Sequence, residues 1–465
     1  MGHELKLKGI KLLQLTISII LFVICWRMFY RGKYDSAYHL KGEFVLYGLY
    51  AAVLFLMNRT YDLYSIGYRK VTDLIGSSFL AQVVTNGIIW VVSLLMFMKC
   101  TNPLPFMALC IVQLIIDVIW SIFIKKVYNS DHLNKKTVVV YEDDEDLERL
   151  GEIRRLRSEF DIQKYVRNPK DYKTLEKELE GYEAIVVSGI HATLRNGIVK
   201  YCIEKDIPGY FAPHVGDIIM QGSHHMQNFS VPIMNVQRAV LVTEYQVLKR
   251  LFDICVSLVA LILTSPISLI TAIVIKLYDG GPVFYKQVRL TEDRRKFKII
   301  KFRSMRVDAE KDGIARLSTG ANDSRITPVG QFIRACRIDE LPQLWNILKG
   351  DMSIVGPRPE RPEIAEQYEK DMPAFGLRLQ VKAGLTGYAQ VYGKYNTNPY
   401  DKLEMDLMYI NRMSIVEDLR LMFATVRILF MPESTEGVRT GQITAKAQKG
   451  NKRETLNSGI LDKVI

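Results

Sequence analysis

Two carboxylates stand next to each other in the stretch RIDELPQLWNILKG, residues 337 to 350, directly ahead of an apolar helical pattern. The apolar positions recur three and four residues apart and are Leu341, Leu344, Trp345 and Leu348. Gly350 is a typical helix C-cap, and Pro342 is tolerated only in a first turn, so the helix begins near Asp339 and Glu340. The two acids are therefore either an N-cap and a first-turn residue that stabilise the helix, or reactive groups for a bound substrate.

Arginine side chains flank these two acids. Arg334 and Arg337 precede them, and Arg358 follows in the segment VGPRPERP, where prolines limit the backbone. Carboxylates and arginines at a helix N-terminus suit phosphoryl transfer, because one acid can attack phosphorus, a second can bind Mg²⁺, and the cations neutralise phosphate charge. No histidine follows residue 225, which excludes a histidine base from this part of the chain.

The segment from Lys286 to Arg306 is strongly basic, with nine lysines and arginines against two acids, interleaved with apolar residues. The alternation in FKIIKFRSM predicts a strand that directs some of these cations to a shared site. Such a patch can lie on anionic lipid headgroups or bind a phosphorylated substrate, and the sequence leaves both open. No nucleic acid is expected as a partner, since a chain with several membrane spans has little use for it.

The elements that would position these residues begin with four apolar runs, which are Leu12 to Trp26, Phe44 to Met57, Leu74 to Met98 and Leu104 to Ile124. A bilayer core takes about 20 helical residues to cross, and the second run, with 14 residues, is the shortest. We predict four membrane spans, with basic residues before the first and after the second and fourth on the cytoplasmic side. Asp117 should face a neighbouring helix, because a lipid-facing carboxylate costs roughly 2.5–3.5 kcal/mol.

The middle of the chain, from Thr137 to about Gln237, alternates strand-like and helical stretches and predicts a small parallel α/β domain. A dinucleotide-binding version would place a glycine-rich turn straight after the first strand. The sequence has EDDEDLERL there, whose acids would repel phosphate. The domain is therefore interpreted as Rossmann-like in shape without a nucleotide site, with a structural or interaction role.

A further apolar run, Leu251 to Ile275, is long enough to span a bilayer. Ser265 and Pro266 lie in its middle, where proline removes an intrahelical hydrogen bond. Basic residues flank both ends of the run, whereas a crossing helix favours asymmetric charge. The pattern favours a re-entrant helix that turns at Ser265 and Pro266 over a fifth span with a proline kink.

Residues 246 to 431 resemble the bacterial sugar transferase family, the monotopic polyprenyl-phosphate hexose-1-phosphate transferases. The ordered matching stretches are KRLFD, the Ser-Pro break, GPVFYKQVR, FKIIKFRSM, SRITPVGQFIR, RIDELPQLWNILKGDMSIVGPRP and KAGLTGYAQVYG. The preceding spans and α/β segment are similar to the long branch of that family, which includes undecaprenyl-phosphate galactose or glucose phosphotransferases. The turn TEDRR, at a place where relatives often carry glycines, departs from the pattern.

The resemblance implies transfer of a sugar-1-phosphate from a UDP-sugar, with glucose or galactose favoured, to polyprenyl phosphate, releasing UMP. This would be the first membrane step of exopolysaccharide, capsule or O-antigen assembly. By motif, Asp339 would be the nucleophile that forms an aspartyl-phosphosugar intermediate, and Glu340 would bind Mg²⁺. The implied phosphate-binding residues are Arg303, Arg334, Arg337 and Arg358, with Lys301 and Lys382.

UDP-sugars are cytoplasmic, so the resemblance places the catalytic domain on the cytoplasmic side of a bacterial plasma membrane and favours the re-entrant helix. The expected architecture is a membrane protein with a four-helix transmembrane region at 1–128, a Rossmann-like α/β domain at 129–240, an α/β-type catalytic domain with interfacial helices at 246–431, its re-entrant helix at 249–276, and a disordered tail at 432–465. A homodimer through the middle domain is compatible with this arrangement.

Two other classes of function are alternatives to sugar-1-phosphate transfer. A catalytically idle membrane scaffold or regulator would not need the intact acids at 339 and 340. A glycosyltransferase that moves sugar without phosphate would release UDP, and usually carries an acidic metal motif near its basic site. The six cysteines are scattered without a CxxC pair, which supports neither a zinc site nor a disulfide framework.

Overall fold

The computed structural model of the chain describes residues 2–31, 41–61, 63, 71–131, 135–150, 160–226, 233–238, 243–307, 309, 323, 325–393 and 398–429. The tail expected to be disordered at 432–465 lies outside these residues. The chain divides into two compact units, Met1–Pro213 and His214–Ile465. Each unit has its own hydrophobic core.

The N-terminal unit begins with four helices that pack as neighbours. They are α1 (Gly2–Phe29), α2 (Lys41–Thr60), α3 (Val71–Phe97) and α4 (Leu104–Asp131). By length and composition, α1, α3 and α4 can cross a membrane, and so can a fourth helix, α9, in the C-terminal unit. The predicted second span forms α2, which has 20 residues but is not among these four helices. The described part of the chain therefore has four helices that are long and apolar enough to cross a membrane.

Polar side chains meet between these N-terminal helices. Asp117 on α4 is fully buried, as predicted, and its Oδ1 accepts hydrogen bonds from Gln14 on α1 at 3.3 Å and Gln82 on α3 at 3.2 Å. One turn along, the Asn86 amide donates to Gln113 at 2.8 Å. These bonds fix the rotation of α1, α3 and α4, because turning any helix would carry a polar group into lipid.

An α/β region follows in the same unit, as the alternating pattern predicted. Its elements are β1 (Lys135–Tyr141), α5 (Asp144–Leu150), β2 (Phe160–Arg167), α6 (Tyr172–Leu179), β3 (Ala184–Ser188), α7 (Ala192–Glu204) and β4 (Gly209–Phe211). The strands form a parallel sheet in the order β2, β1, β3, β4. The central strands β1 and β3 are buried runs of valine and isoleucine, as expected for a sheet covered on both faces.

The C-terminal unit opens with α8 (Val215–Gln221), a hairpin of β5 (His224–Met226) and β6 (Ile233–Asn235), and the long helix α9 (Thr243–Asp279). The remaining elements are β7 (Phe284–Leu290), β8 (Lys296–Phe302), α10 (Pro328–Ala335), α11 (Gln343–Lys349), β9 (Ser353–Val355), α12 (Pro362–Asp371), β10 (Gly384–Thr386), α13 (Tyr388–Val391), α14 (Pro399–Asn411) and α15 (Ile415–Leu429). Strands β7 and β8 form an antiparallel ribbon, and β9 and β10 pair in parallel. Helices α11, α12, α14 and α15 close the core around them.

Both ends of α9 are attached to this unit. At its beginning, Lys249 forms an ion pair with Asp418 at 2.6 Å, and Asp253 accepts hydrogen bonds from the Ser353 hydroxyl and the Ile354 N–H, both at 3.1 Å. At its end, Asp279 pairs with Arg303 at 2.7 Å. Many leucine and isoleucine side chains between these ends are exposed, such as Leu263 at 72% exposure, whereas Ile275 near the end of the helix is buried. The middle of α9 is therefore the part suited to lipid.

Ser265 and Pro266 lie inside α9, which stays helical through them. Proline has no N–H, so the carbonyl of Ile262 loses its usual partner four residues later. The Ser265 hydroxyl donates to that same carbonyl at 2.8 Å. The Ser-Pro pair therefore keeps the backbone hydrogen-bonded at the position where the sequence predicts a break.

Candidate active site

Strand β8 and helix α11 hold the two acids of the opening motif against the basic strand. The Asn346 side chain on α11 bridges to the β8 backbone, donating to the Lys298 carbonyl at 2.9 Å and accepting from the Ile300 N–H at 3.0 Å. The next residue of the strand, Lys301, reaches Glu340. The asparagine thus sets the position of the strand lysine relative to the acids.

Arg250 holds the other end of α11. Its two terminal nitrogens donate to the carbonyls of Ile347 and Leu348, both at 2.6 Å, which adds side-chain partners for the carbonyls of the last helical turn. Gly350 follows in the left-handed conformation, with φ 94°, as the predicted C-cap. The helix that follows the acids is therefore fixed along its side by β8 and at its end by α9.

Glu340 is held by two cations. Its Oε1 lies 2.8 Å from Lys301 Nζ and 2.8 Å from a terminal nitrogen of Arg358. Burial alone would raise the pKa of Glu340, but the charges of Arg358, Lys301 and Arg337 hold that pKa well below its ordinary value. Burial lowers the pKa of Lys301, and the Glu340 charge opposes that change. Glu340 is therefore an ionised and positioned carboxylate.

Asp339 occupies the same short 3₁₀ turn, Ile338–Glu340, and 8% of it is exposed. Within the described residues it makes no hydrogen bond or ion pair. Burial raises its pKa, the charge of Glu340 adds to the rise, and Lys301, Arg334 and Arg337 oppose it. The interpretation of Asp339 as a helix N-cap is wrong, because α11 begins later and Pro342 occupies that position without a capping bond.

Two arginines approach the acids from the preceding helix. Arg334 lies in the last turn of α10, and Arg337 adopts a left-handed conformation, with φ 57°, between α10 and the 3₁₀ turn. Their charges act on Asp339, and Arg337 also acts on Glu340. The structure thus brings together Asp339, Glu340, Lys301, Arg334, Arg337 and Arg358.

Arg358 follows a close approach of two backbone segments. A Cβ added to Gly384 would lie 2.1 Å from the Gly356 nitrogen, so the two backbone segments can approach this closely only with glycine at position 384. The Gly356 N–H donates to the Thr386 carbonyl at 2.8 Å, and Arg378 donates to the Arg358 carbonyl at 2.9 Å. The glycines of the GPRP and KAGLTG motifs therefore position Arg358 beside Glu340.

Two residues predicted to bind phosphate lie outside this hydrogen-bonded group. The guanidinium of Arg303 is already engaged, since both terminal nitrogens bind Asp279 and Nε donates to the Pro282 carbonyl at 2.8 Å. In this structure Arg303 links the end of α9 to β8, and its assignment as a phosphate ligand stays a prediction. Lys382 lies just before β10, and its carbonyl packs against Gly356.

The buried face of α11 differs from the predicted one. Trp345 is 62% exposed, whereas the polar residues Gln343 and Asn346 are buried at 3% and 2% exposure. Sequence periodicity missed both amides because it assigns polar residues to the solvent side. Gln343 and Asn346 are three residues apart and so share one helix face, away from Trp345. That spacing is the sequence signal that could have indicated a second buried face.

The turn TEDRR, which departs from the family pattern, has the positive-φ backbone conformation that glycine usually adopts. Asp293 and Arg294 both adopt positive φ, 54° and 59°, which side chains rarely do. Each forms an ion pair, Asp293 with Arg238 and Arg294 with Glu369 at 2.9 Å. These contacts offset the backbone strain that glycine would avoid.

Comparison with known proteins places this site in a family. The family model described as bacterial sugar transferase matches residues 244–432. The exopolysaccharide production protein PSS of Rhizobium leguminosarum bv. phaseoli is 41% identical over 191 residues, which are 39% of this chain and 94% of the relative. The chain belongs to the bacterial sugar transferase family. Its acids, cations and paired glycines all lie within the matched region.

Longer relatives match over the same region. UDP-N-acetylgalactosamine-undecaprenyl-phosphate N-acetylgalactosaminephosphotransferase of Aeromonas hydrophila is 42% identical over 188 residues, 40% of this chain and 44% of the relative. UDP-glucose:undecaprenyl-phosphate glucose-1-phosphate transferase of Escherichia coli (strain K12) is 40% identical over 201 residues, 42% of this chain and 43% of the relative. The matches thus span less than half of these relatives.

Proposed function

We propose that this sugar transferase moves a sugar-1-phosphate from a UDP-sugar to undecaprenyl phosphate, giving undecaprenyl-diphosphate-sugar and UMP. The observation that carries the proposal is the contrast between the two adjacent acids. Glu340 is held by Lys301 and Arg358 at 2.8 Å each, while Asp339 has no partner among the described residues. An unpaired carboxylate surrounded by cations is suited to attack a phosphorus atom.

In the first step an Asp339 oxygen attacks the β-phosphorus of the UDP-sugar. The bond from that phosphorus to the bridging oxygen breaks, UMP leaves with the electron pair, and the sugar phosphate stays on the aspartate. In the second step a phosphate oxygen of the lipid acceptor attacks the same phosphorus, and the aspartyl oxygen leaves. An ionised aspartate needs no general base, which agrees with a region that has no histidine.

The cations around Asp339 would neutralise the charge of the diphosphate. Lys301, Arg334, Arg337 and Arg358 form this group, and Arg358 is 37% exposed, so it can contact a bound phosphate while it holds Glu340. Arg303 is left out, because its guanidinium is occupied by Asp279. Lys382 remains a prediction.

Mg²⁺ fits this site as an ion shared with substrate. Within the described residues no group of three or more histidine, cysteine, aspartate or glutamate side chains is placed to hold a metal. Mg²⁺ is usually bound by one or two carboxylates together with substrate phosphates. Glu340, whose Oε1 is bound by Lys301 and Arg358, would hold the ion. When bound, the ion would supply positive charge to the diphosphate.

We further propose that α9 is re-entrant. The roughly 26 residues from Asp253 to Asp279 give about 39 Å of helix, more than the bilayer core of about 30 Å. Both of these residues contact the same unit, whereas the ends of a crossing helix would lie on opposite sides of the membrane. Pro266 lies midway between them, and the re-entrant path would require the otherwise continuous helix to bend at Ser265 and Pro266, where the proline weakens it.

We place the protein in the bacterial inner membrane with its C-terminal unit on the cytoplasmic side, where UDP-sugars are found, at the start of exopolysaccharide, capsule or O-antigen assembly. The relatives' names include both glucose and N-acetylgalactosamine, so the donor stays a prediction of glucose or galactose. The α/β region, proposed as Rossmann-like without a nucleotide, is the candidate surface for a homodimer.

The test is nucleotide release by the purified full chain with Mg²⁺, undecaprenyl phosphate and a panel of UDP-sugars. We expect UMP release that requires the lipid and one donor, and no turnover by Asp339→Ala. Asp339→Asn is the matched variant, because it keeps the shape of the side chain and removes the nucleophile. UDP instead of UMP would indicate glycosyl transfer, and substantial activity of Asp339→Ala would remove the aspartate from its role.

A further inference from the structure

Gln343 is a buried amide close to the acids that the reaction scheme does not use. It is the first residue of α11, one helical turn after Glu340, and only 3% of it is exposed. Its Nε2 is buried without a hydrogen-bond partner within the described residues. An unsatisfied buried donor opposes folding, and a well-packed apolar side chain would avoid that cost.

The neighbouring amide shows what a structural role looks like on this helix. Asn346 lies one turn further along, is equally buried, and has both amide atoms bonded to the β8 backbone at 2.9 and 3.0 Å. That contact fastens α11 to the strand without Gln343. The same helix face therefore carries the Asn346 amide, whose hydrogen bonds stabilise the fold, and the Gln343 amide, whose N–H groups make no hydrogen bond within the described residues.

The chemistry of the surroundings identifies the missing acceptor. Gln343 follows Asp339 and Glu340 by four and three residues, and the cations Lys301 and Arg358 bind Glu340. A ligand that enters such a cationic site is anionic, and an amide N–H complements an anionic oxygen. The carboxamide turns about its last torsion at low cost, so Nε2 can reach toward a ligand beside the acids.

We propose that Gln343 donates a hydrogen bond from Nε2 to a phosphoryl oxygen of the bound substrate. This inference rests on the proposed function for its place in the reaction, but the contact itself is with phosphate and can be measured without turnover. Gln343 binds the phosphoryl group that Asp339 attacks, and its unmet hydrogen bond in the free protein is satisfied when the substrate arrives.

The test compares Gln343→Met with Asn346→Ala in the purified full chain. The probe is inorganic phosphate, added in a concentration series against chloride at matched ionic strength, with thermal unfolding as the readout. Gln343→Met should unfold at the wild-type temperature or above, because an apolar side chain replaces an unpaired donor. It should bind phosphate about 10- to 100-fold more weakly, the range for a hydrogen bond to a charged group. Asn346→Ala should unfold at lower temperature.

The same variants are then assayed for UMP release. Gln343→Met should lose about 10- to 100-fold in kcat/KM while it stays as stable as the wild type. Gln343→Glu, which keeps the shape and cannot donate, is the second variant if the methionine protein does not fold. Wild-type phosphate protection in Gln343→Met, or no protection of the wild type, would overturn the proposal. A wild-type protein that binds phosphate through Gln343 and releases no UMP would refute the reaction and leave this contact standing.

Discussion

The buried ion pair of Arg378 and Asp406 allows a sharp test of how the C-terminal unit positions its site. The two side chains are 3% and 1% exposed, with an Arg378 nitrogen 2.6 Å from the Asp406 carboxylate. Arg378→Met leaves that carboxylate buried without its partner, which costs about 3–5 kcal/mol. The positive charge of Lys402 also acts on Asp406, so we expect the lower end, about 3 kcal/mol. At about 2–4 °C per kcal/mol, the unfolding temperature of this unit falls by about 6–12 °C.

The double variant Arg378→Met/Asp406→Leu removes both charges and should recover most of that loss, because replacing a buried pair with apolar residues is often neutral. Activity should not recover with it. Arg378 also donates to the Arg358 carbonyl at 2.9 Å, and both variants lack that bond. We expect UMP release about 3- to 10-fold below wild type in the double variant, because the lost bond acts on Arg358 only through its backbone carbonyl and has a net worth of about 1 kcal/mol.

Thermal unfolding of the detergent-solubilised protein and UMP release, measured on the two single variants and the double variant, complete the cycle. A double variant as unstable as Arg378→Met would refute the buried-charge argument. The loss would then come from the packing of the guanidinium over Phe375, whose ring centre lies 4.9 Å away. A stable double variant with full activity would remove Arg378 from the positioning of Arg358.

Two further predictions concern the ends of α9. Arg303→Met should lower the unfolding temperature, because it leaves the Asp279 carboxylate without its arginine partner. The KM for the donor should change less than about twofold. A tenfold rise in KM at unchanged stability would instead support the sequence-based assignment of Arg303 to phosphate. Single cysteines placed on either side of the run from 251 to 275, in a chain without its native cysteines, should both react with a reagent confined to the cytoplasmic side, and reaction from opposite sides would exclude the re-entrant helix.

Much of the architecture could be predicted from local patterns. The alternation of strands and helices, the inward-facing Asp117 and the C-cap at Gly350 each depend on interactions within a few residues or on burial, which periodicity reports. The resemblance led to the same acids and to Arg358, because short motifs keep their spacing. The cluster of Asp339, Glu340 and Arg358 could therefore be predicted from the sequence.

The remaining differences have physical causes that periodicity does not contain. Three-residue hydrogen bonds continue after Leu341, from the Leu344 N–H to the Leu341 carbonyl and from the Trp345 N–H to the Pro342 carbonyl, both at 3.1 Å, so the face counted from Leu341 is rotated when α11 begins. The backbone of β8 also needs hydrogen-bond partners, which the Asn346 amide supplies, so a polar residue is buried and Trp345 is exposed. Arg303 has the residue type of a phosphate ligand, and only the fold shows that Asp279 occupies it.

The hydroxyl of Ser265, which bonds the Ile262 carbonyl, has a consequence for the lipid around the proposed re-entrant helix. A bare carbonyl in hydrocarbon would pull water or headgroups inward, and the serine removes that need at the deepest point of the helix. The helix then occupies a single leaflet and meets no second interface. Its fit to the membrane should not change with total bilayer thickness, unlike that of α1, α3 and α4, which would tilt or thin the bilayer to match it.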